Sequence, residues 1–256
     1  MVTRALKSIR DGLLTLAYPQ QCRMCGNPVR SWDDGVACRE CWEDPKITTL
    51  FFGLPSCRKC GAPFGTQPAS GRPSANERFC NDCSGLPFEV ARSCGAYAGA
   101  LEASILFLKS EPHVCPRLRE ILSRTYLLNR PMVESDLVVA VPLHRLRQRE
   151  RGFNQATVIA RLIASRFDLA FDDSTLARVA HTGRHRAGID AIDRAKSVEG
   201  AFKVTRSKRV RGLTVLLIDD LFTTGSTISA AAGALLDAGA ASVRVLTIAR
   251  AVRTGH

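Results

Sequence analysis

The sequence predicts an α/β protein in which a parallel sheet follows a small N-terminal metal-binding domain. Three observations lead to this fold class. Eight of the ten cysteines form four C-x-x-C pairs, all before residue 84. After Pro131, apolar strand-like runs alternate with segments of helical periodicity, which is the pattern of a parallel sheet. The 256 residues suffice for one large domain with a smaller one attached.

Residues 1–21 predict an amphipathic helix rather than a targeting or membrane segment. Asp11 interrupts the run from Arg4 to Pro19, and the apolar piece after it is short and lacks a small-residue cleavage site. No stretch approaches the roughly 18 uncharged apolar residues of a membrane helix. We therefore expect a cytoplasmic protein without membrane insertion, with its C-x-x-C thiols reduced.

Residues 22–93 predict a double zinc-ribbon domain, organised by metal rather than by an apolar core. The cysteine spacing is Cys22-x2-Cys25-x12-Cys38-x2-Cys41, followed by Cys57-x2-Cys60-x19-Cys80-x2-Cys83. Four thiolates at about 2.3 Å complete a tetrahedral zinc shell, so eight ligands predict two structural zinc ions. We expect the ligands to be used in sequence order, and the spacing leaves an interleaved arrangement open. Redox chemistry is disfavoured because it normally uses one such pair.

Residues 94–256 predict the α/β domain. Helical spacing indicates two leading helices, the second over 117–128, and then strands at 137–141, 214–219 and 242–249 with helices at 154–167 and 226–238. Between them, residues 178–211 predict a mobile loop followed by a strand at 201–204. The net charge of +12 lies mostly in this domain, which holds 24 Lys and Arg against 15 Asp and Glu. Anionic partners are therefore favoured.

The strongest chemical signal is the segment 215–228, an apolar strand followed by two acids, a turn and a helix. Ligands of open α/β sheets bind at the carboxyl ends of the strands, where a helix N-terminus attracts an anion. Asp219 and Asp220 can accept hydrogen bonds from a vicinal diol, Gly225 allows close approach, and hydroxyl donors come from Thr223, Thr224, Ser226 and Thr227. Together these residues predict a site for a ribose phosphate. The alternative is an ordinary capped turn between strand and helix.

A cluster of arginines follows the first predicted strand. Guanidinium groups bind diphosphate oxygens bidentately, and we expect some of this cluster to face the crevice: Arg145, Arg147, Arg149 and Arg151. The alternative is a solvated basic helix or a nucleic-acid patch. His144 is expected to be structural. No metal site is assigned to His181 and His185, because no carboxylate or cysteine accompanies them.

These segments resemble two related families. The segment 215–228 matches the phosphoribosyl diphosphate loop of type I phosphoribosyltransferases, which has four apolar residues, two acids and a T-T-G-x-T-like turn. The segment 141–155 is similar to V-P-L-H-x-x-R-x-x-x-R-G-F-N-Q of the ComF/GntX family of competence proteins. Tyr97-Ala-Gly and Leu108-Lys109 are similar to that family's Y-x-G and L-K elements, and the likeness extends from Cys22 to Arg250.

The resemblance implies a type I phosphoribosyltransferase fold that binds phosphoribosyl diphosphate with Mg²⁺. It implies that Asp219 and Asp220 are catalytic, and that the turn binds the 5-phosphate. The diphosphate would be held by Arg145, Arg149, Arg151 and Lys109, under a loop that carries Arg184, Arg186, Arg194 and Lys196. That loop usually reads R-x-x-N, whereas this chain has Arg194-Ala-Lys-Ser197.

For the whole protein, the resemblance implies a role in DNA uptake and natural transformation, with single-stranded DNA and a DNA-uptake helicase as partners. A function of a different class is a non-catalytic single-stranded DNA-binding module that uses the zinc ribbons and basic surfaces. The acceptor of a phosphoribosyl transfer cannot be identified from the sequence. An intact diphosphate loop favours the ligand-binding function over the alternative.

Overall fold

The computed structural model describes Gly12 and residues 18–44, 56–64, 79–83, 85–179 and 200–252. Of the predicted N-terminal helix over residues 1–21, only Gly12 and residues 18–21 lie within these ranges, and residues 180–199 lie outside them. Outside them too are two histidines and four basic residues of the predicted loop: His181, His185, Arg184, Arg186, Arg194 and Lys196. In the described part of the chain, no helix has the length and apolar character needed to cross a membrane.

Seven strands occur in the described ranges: β1 (Val90–Ser93), β2 (Leu137–Ala140), β3 (Ala170–Asp172), β4 (Leu176–Arg178), β5 (Phe202–Val204), β6 (Thr214–Phe222) and β7 (Ser242–Arg250). Five of them form one sheet in the order β1-β7-β6-β2-β3, and all its pairs are parallel. The other two, β4 and β5, form an antiparallel pair. The predicted parallel α/β fold is confirmed.

The helices of the described ranges are α1 (Arg39–Trp42), α2 (Gly99–Leu108), α3 (Pro116–Leu128), α4 (Arg130–Val133), α5 (Arg145–Arg151), α6 (Gln155–Phe167) and α7 (Ser226–Asp237). Single 3-10 turns lie at Trp32–Asp34, Asn81–Cys83 and Ser207–Arg209. Asn154 caps α6 through its side-chain oxygen, which accepts from the amide of Ala156 at 3.1 Å. The predicted helix over 154–167 is therefore confirmed together with its cap.

The two faces of the sheet bury different halves of the central strand β6. Leu216 and Ile218 pack on one face with helices α2, α3 and α6, while Val215 and Leu217 pack on the other face with α7. This alternation follows from the two-residue period of a strand. Because both faces are covered, residues 215–218 of β6 form a continuous apolar run, as is usual in parallel strands.

The cysteine-rich segments share these two apolar cores, which differs from the prediction that metal alone organises them. Cys38 and Trp42 belong to the cluster that contains α2 and α3. Cys57, Cys60 and Phe88 belong to the cluster on the opposite face. Each cysteine site is thus anchored to a different face of the sheet. A spacing pattern reports the metal ligands and carries no information on which core the ribbon joins.

Two further details differ from the sequence interpretation. Strand β6 continues past its two acids to Phe222, because Asp219, Leu221 and Phe222 still pair with β7. Val90–Ser93, which the sequence interpretation grouped with the ribbons, forms the edge strand β1 beside β7. The predicted strand at 201–204 is confirmed as β5. The domain boundaries themselves remain a prediction.

Candidate functional site

The candidate site lies at the carboxyl end of β6, which is the central strand of the sheet. Ala140 of β2 pairs with Ile218 of β6, and the amide of Val141 donates to the Ile218 carbonyl at 2.9 Å. The segment that follows β2 therefore leaves the sheet level with Asp219. Segments that follow neighbouring parallel strands meet at this edge, where ligands bind in such sheets.

Residues 223–227, named the phosphate turn from here on, comprise the connection between β6 and α7 and the first two residues of α7. Gly225 has a φ of 81°, a left-handed conformation that glycine adopts without steric cost. The hydroxyls of Thr224 and Ser226 lie 2.8 Å apart, and α7 begins with no side-chain cap at its N-cap residue. The structure thus brings all five predicted phosphate-binding residues to a helix N-terminus, where amides and hydroxyls can bind an anion.

The two acids at the end of β6 lie in different environments. Asp219 is half-buried, and its Oδ1 accepts from the amide of Asp220 at 2.9 Å. Burial raises the pKa of the Asp219 carboxyl well above its ordinary value, and the neighbouring charge of Asp220 adds to this effect. Asp220 is buried, and its Oδ2 accepts from Gln155 Nε2 at 3.1 Å. Gln155 therefore orients Asp220, whereas Asp219 accepts its bond from the backbone amide of its neighbour.

The connection between α5 and α6 is tied to this acid pair. Arg151 Nη1 donates to Gln155 Oε1 at 2.8 Å, so Arg151 reaches Asp220 through a single side chain. Asn154 Nδ2 donates to the carbonyl of Val141 at 2.9 Å, which holds the start of α6 against the end of β2. Gln155 is the last residue of the motif at 141–155, and no role was predicted for it from the sequence. The signal available in the sequence was the side-chain amide of Gln155, four residues after Arg151, a predicted diphosphate-binding arginine.

The other predicted diphosphate-binding residues differ in their exposure and in the elements that carry them. Arg145, Arg147 and Arg149 are exposed along α5, whereas Arg151 at its end is half-buried. Lys109 follows α2 as its C-cap residue and is half-buried. His144 caps α5 by accepting from the amide of Leu146 at 3.3 Å, which is the structural role expected for it.

Two further residues approach the acids: Tyr97, known from the sequence only as part of the Y-x-G element, and Arg178, for which no role was predicted. Burial lowers the pKa of the Arg178 guanidinium, the charge of Arg147 lowers it further, and Asp219 opposes the shift. Burial raises the pKa of Tyr97, with contributions from the charges of Glu102 and Asp220. Arg178 and Tyr97 thus lie within electrostatic range of the acid pair. Arg178 comes from the end of β4, a strand that the sequence analysis did not predict.

The eight predicted metal ligands form two separate groups, each used in sequence order. Within each group the sulfur atoms lie within 4.8 Å of one another: Cys22, Cys25, Cys38 and Cys41 in the first site, and Cys57, Cys60, Cys80 and Cys83 in the second. The Sγ atoms of Cys57 and Cys83 are 3.4 Å apart, and so are those of Cys60 and Cys80. A tetrahedral shell with bonds of about 2.3 Å has sulfur atoms about 3.8 Å apart, so the donor sets fit zinc.

Backbone amides stabilise the thiolate form that zinc requires. In the second site, the amides of Cys60 and Cys80 donate to Cys57 Sγ at 3.5 and 3.3 Å. A hydrogen bond from the Cys60 thiol and those two amides lower the pKa of Cys57 to about 3. In the first site, burial opposes ionisation of Cys22, yet hydrogen bonds from backbone amides lower its pKa to about 6. One thiol of each site thus favours the thiolate, whereas burial raises the pKa of Cys38, Cys41 and Cys83, and the hydrogen bond to Cys57 raises that of Cys60. Those four thiols lose their protons when a metal binds.

Comparisons with known proteins match two separate parts of the chain. A family model for a phosphoribosyl transferase domain matches residues 154–255. A family model for a double zinc ribbon domain matches residues 13–84. The first match contains α6, the phosphate turn and α7, and the second contains both cysteine sites apart from their attachment to the sheet.

Relatives with curated names cover different shares of the chain. The DNA utilization protein YhgH of Salmonella typhi is 28% identical over 242 residues, which is 92% of this chain and 99% of that protein. Competence protein F of Haemophilus influenzae is 33% identical over 129 residues, which is 50% of this chain and 54% of that protein. Competence protein ComFC of Bacillus subtilis is 28% identical over 198 residues, covering 72% of this chain and 77% of that protein.

Proposed function

Because the chain belongs to the ComF-like family, in which a double zinc ribbon precedes a phosphoribosyl transferase domain, we propose that it binds phosphoribosyl diphosphate at the end of β6. The single observation that carries this proposal is the placement of an acid pair directly beside the phosphate turn. A ligand with a vicinal diol next to a phosphate matches those two features. A ribose 5-phosphate has both.

In the proposed complex, the amides and hydroxyls of the phosphate turn bind the 5-phosphate. Asp219 accepts hydrogen bonds from the ribose hydroxyls, while Asp220 is held in place by Gln155 at 3.1 Å. Charge-assisted hydrogen bonds of this kind contribute roughly 1.5 to 3 kcal/mol each. Binding of the diol requires ionised acids, so the ligand's hydroxyl donors offset the burial that raises the pKa of Asp219.

The diphosphate end of the ligand faces the segment after β2. Arg151 Nη1 donates to Gln155 Oε1 at 2.8 Å, and Gln155 donates to Asp220. One side chain therefore separates Arg151 from the acid pair. Bidentate guanidinium contacts neutralise diphosphate oxygens well. Carboxylate oxygens of Asp219 and Asp220 are the hard ligands that Mg²⁺ prefers, and the ion would neutralise charge on the leaving diphosphate. The chemistry open to such a complex is displacement of diphosphate from C1 of the ribose by a nucleophile.

The cellular role that we propose is handling of DNA during uptake. The relatives' names refer to competence and to DNA utilization. A phosphoribosyl site serves that role if its ligand controls or modifies a step in handling of single-stranded DNA. The proposed location is the cytoplasm, where phosphoribosyl diphosphate and reduced thiols are both available.

The test is calorimetric titration of phosphoribosyl diphosphate, with and without Mg²⁺, into wild type and into an Asp219→Asn, Asp220→Asn variant. Amides keep the size of the acids but weaken their bonds to the diol. We expect affinity to fall by at least about tenfold, which corresponds to roughly 1.4 kcal/mol. Equal affinity of the two proteins would remove the acids from the site. Absence of binding by wild type would overturn the proposal.

A second candidate function is binding of single-stranded DNA without catalysis. The observation that favours it is a group of exposed basic side chains on β5 and on the 3-10 turn that follows it, named the basic surface from here on: Lys203, Arg206, Lys208 and Arg209. A phosphate backbone is neutralised by such side chains, and the resulting affinity depends on salt. The two functions are compatible in one molecule.

A further inference from the structure

We propose that Arg250 connects the second cysteine site to the phosphate turn, so that this site and not the first holds the turn in its ligand-binding shape. Arg250 is the last residue of β7 and pairs in register with Phe222, the last residue of β6. The effect on the turn stands on the structure, and the effect on phosphoribosyl diphosphate affinity rests on the proposed function. The proposed effect is on the phosphate turn, and it requires no contact between the second site and Asp219 or Asp220.

The guanidinium of Arg250 joins a zinc-ligand residue to a core aromatic ring. Its Nη1 donates to the carbonyl oxygen of Cys60 at 2.7 Å, and its Cζ lies 4.5 Å from the centroid of the Phe222 ring. The residue is buried. A buried guanidinium is costly unless its donors are bonded, so these contacts restrict where Arg250 and its partners can lie.

The Phe222 side chain packs against the phosphate turn, so its restricted position also restricts the position of the turn. A Cβ added to Gly225 would stand 2.9 Å from Phe222 Cζ and 3.2 Å from Leu86 Cδ1, so the turn backbone packs directly on both side chains. Phe88 supports Phe222 from another side, with the two rings edge to face and their centroids 6.0 Å apart. Any shift of the Phe222 ring therefore changes the packing contact that positions the backbone of Gly225.

A second contact leads from the same cysteine site to the same glycine. The amide of Leu86 donates to the carbonyl oxygen of Cys83 at 3.2 Å, and the Leu86 side chain reaches Gly225. Cys60 and Cys83 belong to the two different C-x-x-C pairs of the second site. A metal bound to both pairs fixes the two contacts relative to each other, which is how a distant ion can shape the turn.

The second site is also clamped to the sheet, so it cannot move as a separate unit. Arg92 of β1 donates to the carbonyl of Arg58 at 2.9 Å and to that of Lys59 at 3.4 Å. The amide of Ala91 donates to the Lys59 carbonyl at 2.7 Å. These bonds hold the first cysteine pair against the edge strand. Loss of metal would therefore act on the Cys60 and Cys83 carbonyls rather than release the whole ribbon.

The first cysteine site lies elsewhere. Its Cys38 packs with Trp42 in the core of α2 and α3, on the face of the sheet opposite α7. Arg23, next to its first ligand, stacks over Phe107 of α2 at 4.9 Å. The two sites therefore differ in what they support, although their ligand sets are the same. This difference makes the proposal specific.

The direct test measures amide hydrogen exchange in zinc-loaded protein without ligand, by mass spectrometry of peptides that cover residues 222–228. Arg250→Met removes the bond to Cys60 and the contact with Phe222. We expect exchange in this segment to become about tenfold faster or more, within the range of typical coupling between sites. Arg250→Lys keeps a donor but lacks the flat guanidinium, so its exchange should fall between wild type and Arg250→Met.

The matched control is Arg244→Met, a second buried arginine of the same strand. Arg244 contacts Glu89 at 2.9 Å and the carbonyl of Pro131, away from the second site. We expect this variant to lose general stability while exchange in residues 222–228 stays at the wild-type rate. Equal exchange in Arg250→Met and wild type, or equal acceleration in Arg244→Met, would overturn the proposal.

Reciprocity supplies an independent measurement, because two coupled sites must affect each other equally. We expect phosphoribosyl diphosphate to raise the zinc affinity of the second site in wild type, measured by equilibrium competition with a chelating dye, and to have little effect in Arg250→Met. Ligand affinity should fall about tenfold in Arg250→Met. Equal affinity of the two proteins would overturn the coupling and leave the proposed function standing. Faster exchange in Arg250→Met with no binding by wild type would support the coupling and remove the proposed function.

Discussion

Asp219 and Asp220 are neighbours in the sequence, yet their carboxyl groups have different surroundings in the fold. Asp220 is buried with a donor from Gln155, whereas burial and the charge of Asp220 raise the pKa of Asp219. An acid whose charged form is disfavoured by its surroundings lowers the stability of the folded protein at neutral pH. Such a residue is retained where a ligand needs it, which agrees with the role proposed for the acid pair.

We predict that Asp219→Asn stabilises the protein at neutral pH in the absence of ligand. Because the folded pKa of Asp219 lies above its ordinary value of 3.8, the folded state keeps a proton that the unfolded chain has lost. The stability difference is therefore absent below pH 3.8 and develops as pH rises towards the folded pKa, where wild type loses stability and the variant does not. Asparagine keeps an acceptor for the Asp220 amide.

The measurement is the denaturant midpoint of wild type and Asp219→Asn across a pH series. The two midpoints should separate as pH rises from strongly acidic to neutral, with the variant the more stable. Parallel profiles, or a less stable variant at neutral pH, would show that Asp219 is charged in the folded state at no cost.

At the scale of elements, the junction of β6 and α7 depends on a single backbone conformation. Gly225 has a φ of 81° and packs on Phe222 and Leu86. A side chain there meets both the left-handed backbone and those two neighbours. Gly233 lies in the interior of α7, and a Cβ there meets nothing within 4 Å. Gly225 thus has no room for a side chain, whereas Gly233 has room for one.

We predict opposite effects for alanine at these two glycines. Gly225→Ala should destabilise by at least about 1 to 2 kcal/mol, the cost of a left-handed residue with a Cβ, and should abolish ligand binding at the turn. Gly233→Ala should stabilise by about 0.5 to 1 kcal/mol, since alanine is the better helix former, and should leave binding unchanged. Chemical denaturation and calorimetric titration measure the two effects.

Gly233→Ala is the control for the presence of a methyl group in this part of the molecule. Ligand affinity of Gly225→Ala equal to that of wild type would mean that the phosphate turn does not contact the ligand. A loss of affinity in Gly233→Ala as large as in Gly225→Ala would indicate a general effect on α7 rather than on the turn.

For the whole molecule, the sheet separates the two cysteine sites, which belong to apolar cores on its opposite faces. The basic surface (Lys203, Arg206, Lys208 and Arg209) lies on β5 and the turn after it, next to the side of the sheet that carries α7. Two of its members are tied to nearby groups, since Arg209 lies 3.7 Å from Asp172 and Arg206 donates to the Ser174 hydroxyl at 3.3 Å. The lysines are the clearer probes of phosphate contacts.

We predict that single-stranded DNA binds with an affinity that falls as salt rises, and that Lys203→Gln with Lys208→Gln weakens this dependence. Each phosphate contact on a single strand contributes about 0.7 to the slope of log affinity against log salt, so two lost contacts reduce the slope by about 1.4. Fluorescence anisotropy with a labelled oligonucleotide at several salt concentrations gives the slopes.

A control variant with the same net charge is Arg119→Gln with Arg166→Gln, which removes two exposed arginines from α3 and α6. Its slope should equal that of wild type. No affinity of wild type at low salt would eliminate the DNA-binding candidate. Equal slopes for the lysine variant and wild type would place the DNA elsewhere on the molecule.

The sequence alone determined the features that depend on residues close together in the chain. C-x-x-C spacing predicted both cysteine sites, alternating periodicity predicted the parallel sheet, and the segment 215–228 predicted the strand, turn and helix where we propose that a ribose phosphate binds. Each of these acts through local geometry, so the pattern of residue types carries it. The helix at 154–167 was predictable for the same reason, because Asn154 caps it two residues from its bond partner.

Only the tertiary structure decided which distant residues support the site. Gln155 and Asp220 are 65 residues apart in the chain, and Arg250 and Cys60 are 190 apart. These pairs meet because β2 and β7 flank β6 in one register, which no local pattern specifies. The same register places the second cysteine site under the phosphate turn and the first on the opposite face. Long-range contacts are set by how strands pair and cores fill, and a linear pattern of residues does not contain that information.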